Sequence, residues 1–520
     1  MSKIVTVNLT DKSLIEEDYD INKIGHYGRG LAVYLIEKHV PSYADRLDPD
    51  NAIVMVPGLF VGNKSPSSCR MTIATKRGID CGIQVSNVTG SVPQKLASSG
   101  IIALIILGKS NSPNTVVHIS DNGIEILEMN ELDGVKTSNI VNLFKERFGR
   151  DMAALGTGPS ADALLPLSTF FCTYPDGIPE YYCPRSGFGD VPGSKGFKAL
   201  VINCSSYFSA ECKEPYGFFK ASRELSKIIV SDDVCGKAMP QYGSMTIMKF
   251  LKDGEVPDVK DARLSEKCHV AVKGRVNFCC APMCVIGCLN RHCTNDGQIY
   301  DAPEQSEVKA ALLNCFNIDN DLFLKKLNYA AFDIGIDPVE FLFSANVYFK
   351  AINQNAGEYE LLSLISDIEN LTLLGRVIAG RSSQVYRLFS DVNGIKRLVT
   401  RESIHEEKDF SVKMDRLSSE NSVDDVELLY RQIFVLENLG LCIFTSFALL
   451  NDPKAMQLIS DMFSYKTGIT TSPKELMDYA AKCIEMEMKF HRGNAVSAVK
   501  KNVPTFTRVL YRYFSSTRNT

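Results

Sequence analysis

The residues best equipped for chemistry lie between Phe278 and Cys293, where the chain reads F-C-C-A-P-M-C-V-I-G-C-L-N-R-H-C. Cys279, Cys280, Cys284, Cys288 and Cys293 fall in this stretch with His292, and Cys268 and His269 lie just upstream. Thiolates bind soft metals, and several close in sequence can wrap one metal or one cluster. A cubane cluster wants one thiolate per iron, so three can come from this loop and a fourth from elsewhere. A zinc site of four thiolates, or of three and an imidazole, uses the same residues, although no second CxxC pair follows at zinc-ribbon distance. A set of buried free thiols is the third reading. Spacing alone leaves all three open.

Other segments carry weaker signals. Cys442 follows a Leu-Gly-Leu turn in Glu437–Phe444 (ENLGLCIF), where a helix end with a buried Cys is the plain reading. Four Gly/Ser/Asn/Arg segments lie in the first 200 residues: Gly28-Arg29-Gly30, Pro66–Arg70, Ser86–Gly90 and Arg185–Lys195. Glycines let backbone N–H groups approach an anion, and arginine binds phosphate with two donors. Each alone reads as a turn, and together they point to a phosphate-bearing cofactor. Neither a dinucleotide fingerprint nor a P-loop is present. Asp333-Ile-Gly-Ile-Asp337 reads as a helix-to-helix turn, with Asp337 capping a helix that starts at Pro338. The acidic run Asp301–Glu307 offers Glu304 and Glu307 as proton carriers, with solvated charge as the alternative reading.

The elements that must hold these residues change character along the chain. The first 205 residues read as mostly strand, in short apolar or β-branched runs at Ile4–Val7, Ala52–Val56, Met71–Thr75, Gly82–Val85, Ile101–Leu107, Val116–Ile119 and Ala199–Ile202. Beyond about 210, helix-period patterns take over at Glu307–Cys315, Asp321–Phe332, Val339–Ala351, Glu360–Val377, Val423–Leu436 and Glu475–His491. The last has a capping box in Ser472 and Glu475. The polar stretch 395–424 reads as a loop or a short exposed helix. The fold class expected is α+β: a β-rich unit over 1–208, a helical domain carrying the Cys loop over 209–395, and a helical C-terminal domain over 396–520.

Composition sets the outer limits. The 520 residues are 45% hydrophobic and 23% charged, which excludes wholesale disorder. With 57 Lys and Arg against 61 Asp and Glu, the net charge of −4 argues against a nucleic-acid binder. No apolar run approaches the roughly 20 residues of a membrane span, and Met1–Thr10 has no signal-peptide core. A cytoplasmic, reducing location is expected, where the 16 Cys favour metal binding or redox chemistry over disulfides.

Taken in order, the segments resemble the tungsten-containing aldehyde:ferredoxin oxidoreductase family. Lys3–Leu9 followed by Gly28–Leu31 looks like its first strand and glycine turn. Ser86-Asn87 with Ala97–Lys109 is similar to its "SN…G…L…AG…IIxEGK" segment, and Arg185–Ala199 to its "RxGxGAVxGSKxLKA". Cys284–Cys288 resembles "CPIGC", and Leu439–Cys442 resembles the end of "DxxGLC". The likeness runs, with gaps, from residue 3 to about 445.

That resemblance implies two β-sheets forming the base for a tungsten or molybdenum bis-pterin, with helical domains closing over it. It implies a [4Fe–4S] cluster bound by Cys280, Cys284, Cys288 and Cys442. It puts Arg70, Asn87, Arg185, Ser186 and Gly187 at the pterin phosphates and their bridging Mg²⁺, the contacts of Asn87 and Ser186 to the magnesium coming from backbone carbonyls. Asp333 and Asp337 fall where the family's first pterin motif lies. The implied activity is oxidation of an aldehyde, or reduction of an oxo substrate, with electrons exchanged with ferredoxin or an iron–sulfur partner subunit. A homodimer fits the family pattern, and neither nucleic acid nor membrane is expected as a partner. The departures are specific. The family spacing C-x2-C-x3-C becomes C-x3-C-x3-C, because position 281 is Ala and the nearest thiol is Cys280, with Cys279 as a substitute. Phe332 stands where the first pterin motif opens with Asp, Glu437 stands for Asp in the second, and Ser306 stands for a Glu near the metal. They admit a divergent paralogue with another substrate or an electron-transfer role, or a cofactor-free scaffold with a zinc or empty Cys loop.

Overall fold

The structure, a computed structural model, describes residues 2–77, 82–174, 181–184, 187–205, 207–244, 246–247, 250, 279–289, 291–293, 299–301, 305–389, 423–450, 452–489, 507, 509–511 and 513–514. Two compact units divide the chain. One takes Met1–Gly108, Cys204–Cys293 and Ser411–Thr520, and the other takes Lys109–Asn203 and Thr294–Phe410. They cut across the sequence division at 208 and 395, because segments far apart in the chain complete each core.

The first unit holds strands β1 (Lys3–Asn8), β2 (Ser13–Asp18), β3 (Ile53–Pro57), β4 (Met71–Lys76), β5 (Ile83–Val88) and β6 (Ile101–Leu107). They form one sheet in the order β2-β1-β6-β3-β4-β5. The continuous apolar run of β6 suits a central position, between β1 in parallel and β3 antiparallel. The charged β2 is an exposed edge, which blocks further pairing. The helix Gly28–His39 lays Leu31, Leu35 and Ile36 into a core with Val54, Val56 and Ile105. A second core joins the helices Pro215–Ser231, Val423–Leu439, Pro453–Thr467 and Pro473–Lys489 through Phe218, Phe434, Ile459 and Leu476.

The second unit repeats the plan with β7 (Thr115–Ser120), β8 (Gly123–Glu128), β9 (Ala153–Thr157), β10 (Phe170–Thr173), β11 (Tyr181–Tyr182) and β12 (Phe197–Ile202). Their order is β11-β10-β9-β12-β7-β8. The helices Gln305–Phe316, Asp321–Ile334, Pro338–Ala351 and Glu358–Glu369 share a core around Leu312, Leu327, Phe341 and Leu364.

The α+β expectation holds: two six-stranded sheets come first, and the chain after them is mostly helical. Three details differ. The N-terminal region also contains the helices Gly28–His39, Ser91–Ser98 and Thr137–Phe148. Gly28-Arg29-Gly30, expected as a turn, opens the first of these. The helix expected over 360–377 is two, Glu358–Glu369 and Leu373–Ile378, because Leu371 turns left-handed (φ 54°) and the Thr372 hydroxyl caps the second by accepting from Gly375 N at 3.0 Å. Of the stretch 395–424, expected as a loop or a short exposed helix, residues 395–422 lie outside the described residues. No helix among the described residues is long and apolar enough to cross a membrane.

Candidate functional site

In the first unit, three segments distant in sequence meet at one point. Residues 67–70 pair with residues 440–442 around a Ser68–Leu441 bridge. Cys69 N and Arg70 N donate to Gly440 O at 2.8 and 3.0 Å, and Cys442 N donates to Ser67 O at 2.9 Å. The Cys loop is tied to the same residue: Ser67 N donates to Met283 O at 2.7 Å, and Val285 N donates to Ser67 Oγ at 3.2 Å. Glycine makes the approach possible. Gly440 is left-handed (φ 81°), and a Cβ on Gly58 would lie 2.1 Å from the Gly440 Cα.

This meeting gathers the thiols. Cys69 and Cys442 are buried against Ala281, with Cys280 packed beside them. Cys69 Sγ donates to Ser67 O at 3.5 Å, and Cys279 Sγ donates to Cys284 O at 3.4 Å. Cys284 and Cys288 are partly buried and pack against the helical core of the same unit. Donors surround the sulfurs. Arg70 Nη2 donates to Cys442 Sγ at 3.3 Å, Gly287 N donates to Cys284 Sγ at 3.4 Å, and Thr89 Oγ1 donates to Cys280 Sγ at 3.6 Å. The neighbouring thiols push the Cys280 and Cys284 thiols up, and burial pushes the Cys288 thiol up. No three His, Cys, Asp or Glu side chains among the described residues converge as the ligands of a single ion do.

The donor set fits a cluster in its chemistry. Four thiols from two segments supply one sulfur for each iron of a cubane. Arg70 brings positive charge to them, and its Nε is buried with no hydrogen-bond partner. A buried, half-satisfied guanidinium is stabilised by anionic neighbours such as thiolates or phosphate oxygens.

Asn87, on β5, lies on a second network of the same unit. Its Nδ2 donates to Glu437 Oε1 at 2.9 Å. The other oxygen of Glu437 accepts from Arg29 Nη1 at 2.6 Å, and Arg29 holds Glu487 through Nε at 3.0 Å and Nη2 at 2.7 Å. The guanidinium also sits 4.5 Å over the Phe434 ring. Arg29 thus pairs with carboxylates and offers no open anion site. The sequence offered Arg29 as part of a candidate anion-binding segment and gave no sign of Glu487, because the two are 458 residues apart.

The second unit holds Gly187, Asp333 and Asp337, while Arg185, Ser186 and Glu304 lie outside the described residues. Asp337 caps the helix Pro338–Ala351, accepting from Val339 N at 2.9 Å and Glu340 N at 3.1 Å. Asp333 accepts from Ser138 N at 3.0 Å and Tyr181 Oη at 3.4 Å. Cys183 Sγ donates to Phe332 O at 3.7 Å, and its thiol is pushed up by burial and then by the charge of Asp337 and Asp333. Gly187 is left-handed, and its carbonyl accepts from Arg381. Glu307 lies in the helix Gln305–Phe316 and is partly buried.

Comparison with known proteins follows the same line. The family model of the aldehyde ferredoxin oxidoreductase N-terminal domain matches residues 4–204. Over 262 residues the chain is 27% identical to the tungsten-containing aldehyde ferredoxin oxidoreductase of Pyrococcus furiosus, covering 50% of this chain and 42% of that protein. The Thermococcus kodakarensis protein of the same name is 27% identical over 254 residues, covering 48% and 41%. The matched stretch is thus under half the length of these relatives. Among solved structures, the active-site complex BamBC of benzoyl coenzyme A reductase with 1,5-dienoyl-CoA superposes with a TM-score of 0.75. That match covers 97% of this chain and 91% of the other at 15% identity, so it shows a shared fold. The family resemblance read from the motifs is borne out. Residues 4–204 are thus similar to the N-terminal domain of the aldehyde ferredoxin oxidoreductase family, at low identity.

Proposed function

We propose that this chain is a divergent oxidoreductase of the aldehyde:ferredoxin oxidoreductase type. It would hold a [4Fe–4S] cluster on Cys280, Cys284, Cys288 and Cys442, and a tungsten or molybdenum bis-pterin on Arg70, Asn87, Arg185, Ser186, Gly187, Asp333 and Asp337. Mg²⁺ would bridge the pterin phosphates. The observation that carries the reading is the meeting of the Cys280–Cys288 loop with Cys442 around Arg70. The metal-pterin and the cluster, if bound, would supply two-electron oxo chemistry and single-electron exchange with ferredoxin or an iron–sulfur partner subunit. The chain's own residues do the rest. The paired 67–70 and 440–442 segments fix the thiols, Arg70 offsets their charge, and Asn87 and Glu437 brace the approach to Cys442. The same reading keeps 1–208, 209–395 and 396–520 as the family's modules, and the cytoplasm as the location.

A second reading is a paralogue that keeps the cluster and binds the pterin differently. What favours it is the prior engagement of the carboxylates: Glu437 is held by Arg29 and Asn87, and Asp337 caps its own helix. The test is anaerobic reduction of a viologen dye by metal-replete protein across a panel of aldehydes. Aldehyde-dependent reduction supports the first reading. Replete protein that reduces the dye with no aldehyde overturns it in favour of the second.

A further inference from the structure

The helix Pro215–Ser231 buries one face and presents the other to solvent. Phe218, Ala221, Leu225 and Ile229 sit in the helical core of the first unit. Ser222 Oγ donates to Lys64 O at 2.5 Å, and Glu214 N donates to Tyr465 O at 2.8 Å just ahead of the helix. These contacts fix the helix in rotation, so its outer face is set by the sequence. That face carries Tyr216, Phe219, Lys220, Arg223, Lys227 and Val230, whose helical spacing puts all six in one stripe. At 1.5 Å per residue the stripe is about 20 Å long. Tyr216 is 81% exposed, Phe219 44% and Val230 50%. Lys227 pairs with Glu224 at 2.6 Å, while Lys220 and Arg223 hold no ion pair among the described residues.

We propose that this stripe is the docking surface for an acidic protein, the ferredoxin-type partner of the reading above. The inference rests on that reading for the partner and needs no metal bound to this chain. Tyr216, Phe219 and Arg223 are residue types that protein interfaces favour, and here they stand in water on one rigid face. The whole chain carries a net charge of −4, so the cations of this face run against its overall sign and select a carboxylate-bearing surface. A helix that lies on a membrane gathers its apolar residues on one side and its cations on the other. In this stripe the cations lie between Phe219 and Val230, and the opposite face is committed to the core. A lone stripe of this kind also supplies few phosphate contacts for a nucleic acid.

The experiment is a calorimetric titration of the full chain with a purified ferredoxin of acidic surface. Wild-type affinity should fall about tenfold between low and physiological salt, as the charge attraction is screened. Lys220→Glu/Arg223→Glu should bind about tenfold more weakly at low salt, with a wild-type melting curve. Tyr216→Ser/Phe219→Ser should also bind about tenfold more weakly, yet keep the wild-type salt dependence. Lys326→Glu/Lys350→Glu, exposed positions of the other unit with the same change in net charge, should bind like wild type. Equal weakening in this control would show that net charge governs binding, and would overturn the proposal. Ferredoxin that binds every form alike docks elsewhere, which overturns the stripe and leaves the partner reading standing. Ferredoxin that binds no form overturns both. Vesicles of equal parts phosphatidylcholine and phosphatidylglycerol that bind wild type and not the Lys220→Glu/Arg223→Glu variant would make the face a membrane contact and overturn it as well.

Discussion

Arg29 is the residue whose loss the fold should feel most. Its guanidinium bonds Glu437 at 2.6 Å and Glu487 at 2.7, 2.8 and 3.0 Å, and all three side chains are at most 15% exposed. Arg29→Met keeps the apolar contact with Phe434 and strands two buried carboxylates. Removing one partner of a buried ion pair costs about 3–5 kcal/mol. Asn87 still donates to Glu437 at 2.9 Å, which favours the lower end of that range. Urea unfolding of the wild type, of Arg29→Met and of the triple variant Arg29→Met/Glu437→Gln/Glu487→Gln measures this. The single variant should lose at least about 3 kcal/mol in the transition of its unit, and the triple should recover a good part by removing the stranded charge. A loss below about 1 kcal/mol, as for an exposed pair, would refute the reasoning, as would a triple variant no better than the single. Glu437 is on the helix that ends just before Cys442, so Arg29→Met should also lower iron content.

Lys466 gives a pH signature: burial lowers its pKa from 10.5 to about 8, so between those values the unfolded chain binds a proton that the folded chain does not. Stability from this group therefore rises with pH across the window, by about 3 kcal/mol in all. Lys466→Met should be more stable than wild type at pH 7.5, with the gap narrowing by pH 10; a gap constant in pH would rule the assignment out. Gly440→Ala puts a Cβ 2.6 Å from Val61 Cγ2 at a residue with φ 81°, and should cost about 1–3 kcal/mol and reduce bound iron; a wild-type melting curve would count against it. Asp337→Ala removes the acceptor for two helix N–H groups and should cost about 1 kcal/mol by urea unfolding, while Asp337→Asn should restore most of it. Equal losses in the two variants would show that Asp337 acts through its charge. Cys442→Ala should lower iron per chain, and unchanged iron would remove it from the ligand set.

The parts legible in the sequence were those written locally. The runs at Ile101–Leu107 and Met71–Thr75 became strands because continuous apolar or β-branched stretches have few other stable forms. Ser472 and Glu475 form the expected capping box, with Ser472 N donating to Glu475 Oε2 at 2.8 Å. The helix Gly28–His39 was missed because two glycines near its start mimic a turn, and its helical state is imposed by packing on β3 and β4. β9 and β10 were missed because Ala153–Thr157 and Phe170–Thr173 are short and depend on each other for pairing. Motif order singled out Cys280, Cys284, Cys288 and Cys442 as candidates, and the structure brings Cys280 and Cys442 into one buried cluster. Cys69 as a fifth thiol, and the Arg29–Glu437–Glu487 group, were not legible, since each joins residues hundreds of positions apart. The capping geometry of Asp337 follows from Pro338, while the bond from Ser138 N to Asp333 has no local signal.

The central claim is that the gathered thiols carry a cluster beside a metal-pterin. Elemental analysis for Fe, W, Mo and Zn on anaerobically purified protein, from a host able to make the pterin, tests it most directly. The account predicts about four Fe and one W or Mo per chain. Zinc alone, or no metal, would contradict it and leave the fold as a scaffold whose thiols serve another purpose.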